Sequence, residues 1–327
     1  MDITDFTAEL LAFGEPTHFE PAFARIRNEL FARLAEHGFR SIALETDRVA
    51  ALDGGFSHGF GEQDANRQLL AWIREYNETA EEPLAFHGFD APTEMFSAPS
   101  PRTYLEHVRD YLGLDADIAA LTGDDERWSR SEAILDPAAS PGATAEAREL
   151  RILADDLLMA LDARVEKVSR AEWDRARINA LAGLDLLRYH AASAQPGDRD
   201  TRIARLAGVR TVLMARNLLD IRAIEAPRGR TLVFAHNAHL GSGAGAIVAS
   251  RLGDRYAFIA GSLGHSEALG LGGPAADTYE GRLQRDTGTW KLTTGIPAGR
   301  TRDDIDHRYA PLTRELLDGA DAVLHVA

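Results

Sequence analysis

At 327 residues with 45% hydrophobic content, the chain can bury a large core, which excludes a disordered or fibrous protein. A formal net charge of -15 argues against a nucleic-acid binder, whose phosphate contacts need a basic surface. There is no cysteine, so disulfides, thiolate nucleophiles and cysteine-held metals drop out together.

"MDITDFTAELLAF" lacks the basic start and long apolar stretch of a signal peptide, and no later segment approaches the roughly 20 apolar residues of a membrane span. The expectation is a cytoplasmic protein with no membrane partner. "ELLAF" (9–13) then reads as a short buried strand. Residues 21 to 37 place Phe23, Ile26, Leu30 and Leu34 on one helical face, and Gly38 stops that helix before the strand-like "RSIALET" (40–46). A second helix, "ANRQLLAWIREYN" (65–77), leads into "PLAFHGF" (83–89). This βαβαβ order predicts a parallel sheet with right-handed crossovers.

From about 100 to 225 the pattern is helical only. Leu150, Leu153, Leu157, Leu161, Val165 and Val168 keep the spacing of one buried stripe; Ala180, Leu184, Leu187 and Ala191 form a second, and Leu206, Val209 and Leu213 a third. "DPAASPG" and "SAQPGDRD" supply turn chemistry. Strand patterns return with "TLVFA" (231–235), "YAFIA" (256–260) and "ADAVLHV" (320–326). The expected fold is α/β: a mostly parallel central sheet flanked by helices, with an α/β core over 1–99 and 226–327. Residues 100–225 are expected to form an all-helical insertion that covers the active-site cleft.

Ligands of open parallel sheets bind beyond the carboxyl ends of the strands. There the sequence places Glu15 and His18, then Glu45 and Asp47, then His87 and Asp90, then His236, Asn237 and His239, and finally Gly261, Ser262 and His265. Acid and imidazole groups after successive strands point to an active site at this rim.

Several of these residues have plainer readings. In "GEPTHFEP" (14–21), Thr17 with Glu20 fits a capping box; alternatively Pro21 is the first helical residue. Either puts His18 near the positive end of a helix, which favours the neutral imidazole that a general base requires. Glu45 reads either as half of a structural ion pair or as a catalytic carboxylate. His236 and His239 have a zinc-like HxxH spacing without the helical HExxH context. "GFSHG" (55–59) and "AGSLG" (260–264) match the nucleophile elbow of serine hydrolases. The first lacks a strand running into it, and the second is followed by glycines rather than a helix. His37, His107, His190, His307 and His325 read as ordinary surface or core residues.

"GEPTHFEPAFARIRNELFARLAEHGFRSIALETD", "WIREYN", "HGFD", "MARN" and "FAHNAHLG" follow one another in the order of the erythromycin esterase family, which the chain resembles over most of its length. The resemblance implies an α/β fold shared with ChaN-type proteins and a helical subdomain over the cleft. It also implies hydrolysis of a macrolide lactone or related ester by water, with no serine nucleophile, metal or cofactor. Carried over by position, Glu15, His18, Arg27, Glu45, His236 and His239 form the functional set. Where the family usually has Gly after the GExxH histidine, this chain has Phe19, which changes the local backbone or fills part of the pocket.

The mechanism expected from this set has His18 taking a proton from water while Glu15 or Glu45 orients the imidazole. One of His236 and His239, with Arg27, stabilises the oxyanion or protonates the departing alkoxide. Phe19, His87, Asp90, Arg216, Asn237 and His265 are expected to contact the substrate or fix the loops around it. Three other chemistries fit the same residues. They are metal-dependent hydrolysis with His18, His236, His239 and a carboxylate as ligands, haem or metal binding of the ChaN type, and a biosynthetic lactonisation, acyl transfer or elimination. The expected partner is a small-molecule ester or lactone, and the expected assembly a monomer or homodimer.

Overall fold

The computed structural model describes residues 2–94, 96–165, 169–296, 298–303 and 308–327, so Val168 and His307 lie outside the described residues. The chain divides into two compact units. One comprises Met1–Glu45, Gly59–Phe89 and Ala215–Ala327, the other Thr46–His58 and Asp90–Met214.

The strands are β1 Leu10–Glu15, β2 Phe39–Asp47, β3 Ala85–Asp90, β4 Arg230–His236, β5 Tyr256–Leu263, β6 Trp290–Thr293 and β7 Ala322–Val326. Among the described residues they form one seven-stranded sheet in the order β3-β2-β4-β1-β5-β7-β6. Strand β1 runs parallel to both β4 and β5, and all six of its residues are buried. That explains why "LLAF" is an unbroken apolar run rather than an alternating one: a strand covered on both faces has no polar side. Strand β6 pairs antiparallel with β7; its four residues, Trp-Lys-Leu-Thr, alternate apolar with polar over too short a stretch to stand out from the surrounding loop.

The helices, in chain order, are α1 Pro21–Ala35, α2 Arg48–Leu52, α3 Asp64–Asn77, α4 Arg102–Leu112, α5 Ile118–Thr122, α6 Glu126–Ser129, α7 Glu132–Leu135, α8 Ala145–Asp162, α9 Arg170–Ser193, α10 Arg199–Glu225, α11 Ala244–Leu252, α12 Tyr279–Gln284 and α13 Arg314–Asp318. None among the described residues is long and apolar enough to cross a membrane. Helix α1 buries Phe23, Ile26, Leu30 and Leu34, the stripe read from the sequence. Its start is not a Thr17–Glu20 box: Glu20 is itself the cap, accepting the Ala22 N–H at 3.1 Å, and Pro21 follows at the first helical position, where its missing N–H costs nothing.

In the second unit, α4, α5, α8 and α9 pack around Leu105, Leu150, Leu157, Trp173, Leu184 and Leu187. Leu186, Tyr189 and Leu206 join Ala98 and Ile134 in a smaller cluster.

Candidate active site

Sheet order decides which strand ends meet. Because β4 lies between β1 and β2, and Glu15 is in register with His236, the ends of three strands bring Glu15, Glu45 and His236 side by side in the first unit. The chain leaves β1 through Pro16 and Thr17. Thr17 is buried and its hydroxyl accepts the Phe19 N–H at 3.2 Å, which turns the backbone into α1.

That turn sets His18 over the strand ends. Its Nδ1 lies 2.7 Å from Glu15 Oε1 and its Nε2 3.9 Å from Glu45 Oε1. The His18 side chain keeps 29% of its surface while both carboxylates are buried, so the imidazole meets solvent and the acids stand behind it. Phe60 and His236 pack against the imidazole, with ring centroids 5.1 and 5.5 Å away.

His236 and His239 are not equivalent. The His236 Nε2 faces the Pro16 carbonyl at 3.2 Å and its Nδ1 faces the Ala238 N–H at 3.2 Å. A carbonyl only accepts and an amide N–H only donates, so both ring nitrogens are used by the backbone and the ring is the neutral tautomer with its proton on Nε2. Burial, with the neighbouring His18 charge, draws the His236 pKa down to about 4. His239, by contrast, lies on a single π-helical turn, Ala238–Ser242, and points its Nε2 at Glu45 Oε1, 3.1 Å away.

The two acids are pushed apart electrostatically. Burial raises the Glu15 carboxyl against the pull of His18 and Arg27. Burial opposes ionisation of Glu45 as well, but His239, His18 and the backbone N–H of His236 outweigh it and hold this carboxyl well below the usual range.

Arg27, on α1, is almost fully buried and lies 4.9 Å from the Phe234 ring centroid. Burial, partly offset by Glu15, lowers its pKa to about 10, so it stays a cation at neutral pH. Its Nε and Nη2 donate to Asn28 and Ala65 and one Nη1 hydrogen to Asn66. The second Nη1 hydrogen has no acceptor among the described residues. Arg27, Glu15, Glu45, Phe60, Gln63 and Asn66 border a recess of about 20 Å³, room for a water molecule.

The remaining sequence candidates lie elsewhere or are already engaged. His87 sits inside β3, 2.8 Å from Glu225, whose carboxylate also takes Arg228, because the strand runs on to Asp90. Asp90 belongs to the second unit, where it is fully buried between Arg210 at 2.5 Å and His58 at 3.0 Å. Asn237 is buried and closes two bonds with the Gly261 backbone, its Nδ2 donating at 2.8 Å and its Oδ1 accepting at 2.9 Å, so it ties β4 to β5. Arg216 is exposed on α10 between the buried Ala215 and Asn217, and His265 is exposed on the loop after β5. Phe19 is 56% exposed, with the Arg308 guanidinium 5.9 Å from its ring centroid.

Neither serine motif is an elbow. Ser57 bonds the Thr46 hydroxyl and the Asp47 N–H within a loop of the second unit. Ser262, on β5, does face an imidazole, His325 Nδ1 at 2.8 Å, with Gln284 3.0 Å from Nε2. Both Ser262 and His325 are sealed in the core, so this cross-strand pair satisfies two buried polar groups.

Phe60, Gln63 and Asn66 carry no sequence signal that singles them out. Asn66 is masked by the amphipathic pattern of α3, whose buried face it shares with Leu69, Leu70 and Ile73. Among the described residues no group of three or more His, Asp or Glu is arranged to hold a metal ion.

A mostly parallel sheet with an imidazole–carboxylate pair at the ends of its central strands makes this an α/β protein whose candidate site lies where open sheets bind their ligands. A model of the erythromycin esterase family matches residues 34–322, and the chain belongs to that family. Glu15, His18 and Arg27 precede the matched stretch. No curated protein matches in sequence. Among solved structures, a succinoglycan biosynthesis protein is 17% identical with a TM-score of 0.69, over 98% of this chain and 87% of its own. A mutant of the erythromycin esterase EreC, in its open conformation, is 20% identical with a TM-score of 0.63, over 98% and 90%. A protein from Bacillus cereus is 16% identical with a TM-score of 0.64, over 99% and 89%. At these identities the likeness is one of fold.

Proposed function

We propose that the chain is an ester hydrolase in which His18 activates water against a lactone or related ester. The observation that carries this reading is the placement of His18, part-exposed and held between Glu15 at 2.7 Å and Glu45 at 3.9 Å. Glu15 fixes the tautomer by accepting the Nδ1–H hydrogen bond, which puts the lone pair on Nε2, the nitrogen that takes the proton of water. When water gives up its proton and its oxygen adds to the ester carbonyl, the imidazolium is stabilised by both carboxylates.

The tetrahedral oxyanion then needs donors, and Arg27, which borders the recess, keeps one Nη1 hydrogen not given to Asn66. Collapse breaks the bond to the alkoxide, which takes the proton back from the His18 imidazolium and leaves as the alcohol, returning His18 to the neutral base. His236, with both nitrogens committed, serves as a neutral wall for His18 and takes no part in proton transfer.

A panel of macrolides and simple lactones screened for the mass gain of one water tests the reaction. On any substrate so found, His18→Asn is expected to lower kcat by about 10²–10⁴-fold, the usual contribution of a general base. A loss below about tenfold sinks the general-base assignment. Conversion without gain of water would point instead to acyl transfer or elimination in the same cleft.

A further inference from the structure

We propose that Asn66 is a positioning residue for the His18–Glu15 pair, through its hydrogen bonds to the Arg27 and Gln63 side chains and to the Phe60 backbone carbonyl. The inference rests on the reading of His18 as the reacting base, and nothing in the sequence motifs assigns Asn66 a role.

Asn66 occupies an inward position of α3 and is nearly fully buried. A buried amide without partners costs about 1–3 kcal/mol, and an apolar residue of the same volume would avoid that cost. Its three bonds instead run to three groups around the site. Oδ1 accepts Arg27 Nη1 at 2.8 Å, and Nδ2 donates to the Phe60 carbonyl at 2.9 Å and to Gln63 Oε1 at 3.4 Å. The amide orientation is unambiguous, because guanidinium only donates and a backbone carbonyl only accepts.

Each of those groups reaches the reacting pair. The Phe60 ring lies 5.1 Å from the His18 ring, and the Gln63 Nε2 lies 3.5 Å from the His18 backbone carbonyl. Arg27 is the cation whose charge favours ionised Glu15. One amide thus sets a wall, a backbone contact and a charge. Displacing the reacting groups by even about 1 Å is known to cost on the order of a hundredfold in rate.

Asn66→Leu keeps the branched heavy-atom skeleton and deletes all three bonds; Asn66→Asp keeps an acceptor for Arg27 and deletes the two donated bonds. Two readouts apply to each variant. The first is the NMR signals of the His18 ring, identified by their loss in His18→Asn, which sense the aromatic ring current of Phe60. The second is kcat and KM on a substrate found by the water-gain screen.

In folded Asn66→Leu the His18 ring signals are expected to move beyond their line width, and kcat to fall by roughly tenfold to a hundredfold with KM little changed. Unmoved His18 signals in the folded variant overturn the proposal. Should Asn66→Leu not fold, Asn66→Asp carries the test on the same criterion. The NMR readout needs no substrate, so a failure to find any ester that is hydrolysed is separable from a failure of Asn66 to position His18.

Discussion

Glu45 accepts the backbone N–H of His236 at 2.9 Å, a bond that takes over where the β2–β4 ladder stops at Leu44 and Phe234. A side chain here substitutes for a strand. One carboxylate oxygen is thereby spent on the sheet and the other is aimed at His239 and, farther off, at His18. Glu45→Gln can still accept from His236 through its carbonyl, but its NH₂ then faces the N–H of His239. The expected cost is about 2–3 kcal/mol, typical of a lost charged hydrogen bond, read as a lower urea midpoint. An unchanged midpoint would show that His239 does not depend on this carboxylate.

Gly14 is required by close approach and not by its backbone angles. A Cβ there would lie 2.2 Å from Asn237 Oδ1, the atom that receives the Gly261 N–H. Gly14→Ala should cost about 1–3 kcal/mol, as overpacking does, and loosen the β4–β5 tie beside His236 and His239. Thermal denaturation reads the first effect and kcat the second; if stability falls without loss of turnover, Asn237 is a structural clamp only.

Acid should destabilise the fold through its buried imidazoles, His190 and His325 away from the site as well as His236 within it. Burial, reinforced for His325 by the nearby Arg302, holds the pKa of both His190 and His325 at about 4, below the value of 6.5 expected when unfolded. As pH falls the unfolded chain therefore takes the protons first. The contribution of each neutral ring is full above pH 6.5 and lost between 6.5 and about 4, on the order of 3 kcal/mol apiece. Urea unfolding across that window should show stability climbing with pH to a plateau. His325→Gln, which keeps an acceptor for Ser262, should make the climb shallower.

Phe19 offers the reverse case. At 56% exposure its removal leaves little unpacked, so Phe19→Ala should change stability by less than about 0.5 kcal/mol. Its effect is expected in KM and in the order of preference among esters, measured across the lactone panel. Unaltered preference would remove Phe19 from the substrate pocket.

Much of this architecture is legible because periodicity reports burial directly. The unbroken run at β1 and the stripe of α1 stand in the structure as they stand in the sequence. What periodicity does not carry is which strand ends become neighbours. His87 and Asp90 both follow the third apolar run, yet one is inside β3 bound to Glu225 and the other pairs with His58 and Arg210. Those partners are remote in sequence, and no local signal links them. The distinction between His236 and His239 is also out of reach, since it rests on the Pro16 carbonyl and the Ala238 amide meeting one ring and not the other.

His18 and Phe19 are consecutive, yet the chain binds them to opposite fates. His18 is held by Glu15 at the end of a strand buried on both sides, where nearly any change disturbs the sheet as well as the chemistry. Phe19 stands in water one peptide bond away. A substitution at position 19 is therefore expected to leave the fold undisturbed, whereas one at His18 or Glu15 bears on the strand end beside it.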